Sequence, residues 1–183
     1  MPRFWRSRPT LPADLAEELK IGRGDRVLAW SRLAGGGGVA GLLDGIRVVT
    51  PRGQHLARTW VDVDHASWDQ NSSMLLVWWV GSRQPTPLEL SEQVGDLPEL
   101  VRERVQSSVL LTLNVPVPGR SSARVALRRD GEGKLSTQVL LPPGVREDEP
   151  DVKAALQQAI DQLWAEASDN GAAYDPAARP PSI

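Results

Sequence analysis

Apolar positions along this chain recur with a period of two more often than with a period near 3.6. Strands send alternate side chains to opposite faces, whereas helices return to one face every three or four residues. On that basis Val27–Leu33, Val39–Leu43, Ile46–Thr50 and the segment 55–60 are predicted strands. The Trp-rich stretch 60–79 predicts a strand, a short turn, a second strand, a polar tip at Asp69–Ser73 and a third strand, Met74–Val80. That last strand is apolar on both faces of its pleat, with Met74, Leu76, Trp78 and Val80 on one and Leu75, Val77 and Trp79 on the other. Such a strand is either central and covered on both sides, or it presents an apolar face to a partner. Leu88–Leu90 reads as a short strand. Leu111, Leu113, Val115 and Val117 alternate with other positions, and Ala123–Arg129 with Leu135–Leu141 forms a hairpin around Asp130–Lys134. Asp44-Gly45 between two apolar runs predicts a two-residue hairpin loop in which both positions need φ > 0.

Three segments show helical spacing. Leu11, Leu15 and Leu19 share a face of a short helix over Leu11–Lys20. Leu97, Leu100, Val101, Val105 and Val109 make one stripe over 97–109, with Arg102, Glu103 and Arg104 outside it. Val152, Leu156, Ala159, Ile160, Leu163 and Trp164 line a helix from Pro150 to Ala167, which opens with a proline among acidic residues. Residues 1–10 and 169–183 carry no such pattern and are expected to be tails.

Composition narrows the function classes. With 183 residues there is enough chain for one core and an appendage. The net charge of −2 supplies no global field for nucleic acid. There are no cysteines, which excludes disulfides, thiolate zinc sites and cysteine nucleophiles. The run Met74–Val80 is too short to span a bilayer, and nothing apolar follows Arg3, Arg6 and Arg8 as in a signal peptide. A cytoplasmic location is expected.

The segments GDRVLAWSRL, VAGLLDGIRVVTP, TWVDVDHASWD and SSMLLVWWV, from Asp25 to Val80, resemble bacterial pleckstrin-homology-like (PH-like) domains. Trp60, Val63 and Ala66 fill the W-x-x-V-x-x-A pattern of that superfamily, and the helix at 97–109 sits where such a domain places its capping helix. The segments VDHASWD and LPELVRERVQSSV are also similar to a group of actinobacterial proteins. The resemblance covers about the first 110 residues. It implies an α+β fold: a PH-like antiparallel β-sandwich or bent barrel at 21–110, preceded by a tail and short helix. A ββ(β)α extension at 111–168 is expected to pack on it. Phosphoinositide binding is not carried over, because the loop Ala34–Gly38 is flanked by Arg32 alone and multivalent phosphate contacts need clustered cations.

Candidate chemistry is sparse. Gly36-Gly37-Gly38-Val39-Ala40-Gly41 matches G-x-G-x-x-G, but only Leu42 and Leu43 separate it from a turn, so no phosphate-binding helix follows. Asp62, Asp64, His65 and Asp69 are the one dense set of metal-type ligands. Strand geometry places Asp62 and Asp64 on one face and His65 on the other, which favours solvated side chains over a shared ion. No G-x-S-x-G elbow accompanies the two histidines. Arg120, Arg124, Arg128, Arg129 and Lys134 read as a solvated strand face, with no aromatic platform for nucleic acid. Phe4 and Trp5 among arginines suit at most a weak membrane-surface contact. Seven tryptophans stand against one Phe and one Tyr. Core packing accounts for Trp30, Trp60, Trp68, Trp164 and one of Trp78 and Trp79.

The sequence therefore predicts a non-enzymatic interaction module, with Trp78, Trp79 and Trp5 as candidate contact residues, an unidentified protein partner and no cofactor. A small-molecule or lipid-binding domain with a pocket beside Trp78, Trp79 or Trp164 is the alternative. An enzyme with a site around Asp62–Asp69 is the third reading.

Overall fold

The computed structural model describes residues 10–91, 95–117, 122–131 and 133–169. These form three antiparallel sheets with ten strands and three helices, an α+β architecture. The chain divides into two compact units, one up to Gln106 and one from Ser107 on.

The first unit begins with helix α1 (Ala13–Glu18) and a four-stranded sheet in sequential order, β1 (Val27–Arg32), β2 (Gly38–Leu42), β3 (Gly45–Val49) and β4 (His55–Thr59). A single 3-10 turn, Trp60–Asp62, redirects the chain into a second sheet of β5 (Val63–Asp69), β6 (Met74–Trp79) and β7 (Thr86–Glu89). That turn is held by the Asp62 carboxylate, which accepts from the Thr59 backbone N–H at 2.9 Å and its hydroxyl at 2.8 Å. One antiparallel bridge, Leu33 to Leu90, joins the two sheets past the ends of β1 and β7. Helix α2 (Leu97–Ser108) buries Leu97, Leu100, Val101 and Val105 with Val39, Ile46, Val48, Trp60, Val63, Leu75 and Val77 in one core. Trp60 is locked there by its indole N–H, which donates to the Leu42 carbonyl at 3.1 Å.

Strand β2 explains how helices reach both faces of the first sheet. All five of its residues are buried. A Cβ on Gly38 would lie 2.5 Å from Leu15 Cδ1 of α1, and one on Gly41 would lie 2.6 Å from Leu100 Cδ2 of α2. These are odd-numbered steps apart, so they open holes on opposite faces. Two of the three glycines of the G-x-G-x-x-G match, Gly38 and Gly41, thus receive leucines, and β2 runs on where a phosphate-binding loop would need a helix.

The β2–β3 hairpin exists, but for a different reason than its sequence suggests. Its loop is Leu43-Asp44, neither at positive φ, and Gly45 already belongs to β3. Glycine is required at 45 because a Cβ would sit 2.0 Å from the Arg58 carbonyl oxygen on β4.

The second unit is a three-stranded sheet, β8 (Val109–Pro116), β9 (Ser122–Arg129) and β10 (Leu135–Leu140), ordered β10-β9-β8, with α3 (Pro150–Asp169). One face of β9 supplies Ala123, Val125 and Leu127 to a core shared with Val152, Leu156, Ile160, Leu163 and Trp164 of α3. The Trp164 indole donates to Thr137 Oγ1 at 3.1 Å. The opposite face of β9 corrects the sequence reading. Arg128 is not solvated but 1 % exposed. Its guanidinium donates to Ser108 Oγ through both Nε and Nη2, and to Gln138 Oε1 at 2.7 Å. Arg124 and Arg129 on the same strand and Lys134 are exposed, and Arg120 lies outside the described residues.

Candidate functional site

The second sheet of the first unit holds the arrangement best suited to a partner. Among the described residues its order is β5-β6-β7, so β5 is an edge strand. An edge strand keeps a row of N–H and C=O groups directed away from its neighbour. Beside that edge runs the first part of α2, and between them lies a groove of about 260 Å³. Ala66, Ser67 and Trp68 form its strand wall, Leu75 its floor, and Pro98, Glu99 and Arg102 its helix wall. Glu99 and Arg102 are exposed and three residues apart, so they share one helix face. The groove therefore joins an apolar floor to a rim carrying one charge of each sign.

The register of β5 on β6 decides where the tryptophans point. His65 faces Trp78, Ser67 faces Leu76, Trp68 faces Leu75 and Asp69 faces Met74. Trp68 and Trp79 pack against the core cluster, and the Trp79 indole donates to Thr86 Oγ1 at 2.7 Å. Trp78 lies on the other face. Its ring stacks on the His65 imidazole with centroids 4.3 Å apart and planes 13° from parallel. Of the adjacent pair, Trp79 is thus the core residue and Trp78 the outward one. Trp5 lies outside the described residues.

The four residues with metal-type side chains each have a local task. Asp62 caps the 3-10 turn. Asp64 accepts from His65 Nδ1 at 2.8 Å. Asp69 accepts from the Ser72 hydroxyl at 2.7 Å and from the Asn71 backbone N–H at 3.0 Å, closing the β5–β6 hairpin. The Ser72 hydroxyl and then the backbone N–H groups hold the Asp69 carboxyl below its ordinary range. His65 has one ring nitrogen on Asp64 and one ring face on Trp78, and its side chain is 54 % exposed.

The groove was not visible in the sequence, because its two walls are some thirty residues apart. No helix among the described residues is long and apolar enough to cross a membrane. No family model, curated protein or solved structure matches the chain.

Proposed function

We propose that this chain is a non-enzymatic protein-interaction module built on a PH-like scaffold, and that it receives an extended segment of a partner along β5. The observation that carries the reading is the open edge of β5 beside the groove under Trp68, Leu75 and Arg102. Strand addition draws affinity from main-chain hydrogen bonds and specificity from pockets that take alternate side chains. A volume of about 260 Å³ fits one or two side chains of such a segment and lies below the usual range for small-molecule pockets. The seven strands with α2 laid over them, and the bridge that joins the two sheets, support the PH-like assignment. The expected partner is a protein, and no cofactor is required.

The test is selection of peptides from a random display library, followed by amide chemical-shift mapping of the best binder on the full chain. Shifts confined to β5 and the first turns of α2, with binding weakened at least tenfold by Arg102→Glu, support the reading. Shifts elsewhere, or binding indifferent to residue 102, overturn it.

A further inference from the structure

The face of the first sheet turned away from the core is not bare. Ala40, Leu42 and Val49 are buried there with Leu15 of α1 and Leu19, its C-cap residue, and Leu11, Ile21, Val27 and Trp30 pack around them. The fit is specific at two points. Leu15, fully buried, occupies the hole over Gly38. The neighbouring Asp14 pairs with Arg32 on β1 at 2.5 Å. Arg32 holds the Asp14 carboxyl below its ordinary value, so the pair is charged on both sides at neutral pH.

The helix that fills this site is weakly built. It has six residues, and its N-cap, Pro12, makes no side-chain cap bond. Helices of that length have no stability of their own. Its C-terminus closes in a Schellman pattern, Ile21 N–H to Ala16 O and Lys20 N–H to Glu17 O, with lysine at φ 55° where glycine is preferred. The site is also incompletely matched. The Trp30 indole nitrogen is buried and meets no acceptor among the described residues. A segment that docks mainly through two leucines, on a connection of eight residues (19–26) containing Gly22 and Gly24, is the kind that opens locally without global unfolding.

From this fit we propose that the outer face of β1–β3 is a docking site for an amphipathic helix of a partner protein, and that α1 is a resident substitute that keeps it closed. The chemistry of the resident defines the partner: an aspartate directly before a leucine, with a second leucine four residues on. Leucine enters the Gly38 hole, aspartate meets Arg32, and a polar side chain on the incoming helix satisfies Trp30. This site is separate from the β5 groove and does not depend on the reading given to it.

The test uses the full chain and a labelled peptide of residues 10–22, helix-stapled across the exposed positions Ala13 and Glu17. Leu15→Glu with Leu19→Glu stops α1 from docking in place. In the native chain a tethered α1 competes at high effective concentration. The double variant is therefore expected to bind the peptide at least tenfold tighter than the native chain, and adding Gly38→Val is expected to abolish that binding. Equal or absent binding by a double variant that keeps the native amide dispersion overturns the proposal, as does indifference to Gly38→Val. If the double variant does not fold, amide exchange on the native chain decides. Protection of α1 well below that of β2 supports a displaceable helix, and equal protection overturns it.

Discussion

Strands β2 and β5 belong to the same unit and meet opposite conditions. β2 has a strand on either side and a helix leucine seated over a glycine on each face, and every residue in it is buried. Among the described residues β5 pairs on one side only, and alternate residues of it are exposed. The first strand is specified by what it lacks, since any side chain at 38 or 41 would occupy space a leucine already fills. The second is specified by what it shows: Trp68 toward the groove and core, His65 stacked on Trp78 outward. Rigidity in this unit comes from strands boxed in on all sides. The proposed partner site lies where that boxing stops.

Substitutions should follow this division. The largest loss is expected where a new Cβ meets backbone. Gly37→Ala, with φ +75° and a Cβ 2.1 Å from the Val49 carbonyl oxygen, should cost about 3 kcal/mol in a urea unfolding curve. Trp79→Ala removes a half-buried ring and its bond to Thr86 and should cost about 2–3 kcal/mol. Trp78→Ala, one residue before it, should cost less than about 1 kcal/mol, because its half-buried ring stacks on His65 and lies outside the core cluster. Equal losses at the two tryptophans would break the distinction between the faces of β6. Lys20→Gly removes a left-handed lysine from the end of α1 and should stabilise the chain by about 0.5–1 kcal/mol, read as a small rise in Tm.

A titration gives the smallest effect. Asp14 and Asp69 both have carboxyls lowered below the ordinary aspartate value of about 3.9. A lowered folded-state value means stability that is present above the unfolded value and is lost as pH falls through the folded one. Acid should therefore loosen the α1–Arg32 contact and the β5–β6 turn below about pH 4, whereas β2 amides stay protected. Carboxyl shifts followed by NMR through an acid titration would check both residues.

Elements with a single clear period were legible in the sequence. The stripe from Leu97 to Val105 gave α2, and Val152 to Trp164 gave α3, because one face of each meets one core. The hairpin of β9 and β10 was equally plain. Features set by contacts between distant segments were not. The need for glycine at 38 and 41 depends on Leu15 and Leu100, and at 45 on the Arg58 carbonyl. Arg128 reads as an outward strand residue by parity, and parity is right, yet Ser108 and Gln138 enclose it. The groove draws Ser67 and Arg102 together only once α2 lies along β5.

Amide hydrogen exchange of the free protein, resolved residue by residue along β2 and β5, tests the central claim most directly. An edge strand open to a partner predicts slow exchange throughout β2 and an alternation of slow and fast amides from His65 to Asp69. Uniform protection along β5, equal to that of β2, would mean the edge is already closed and would contradict strand addition as the function of this chain.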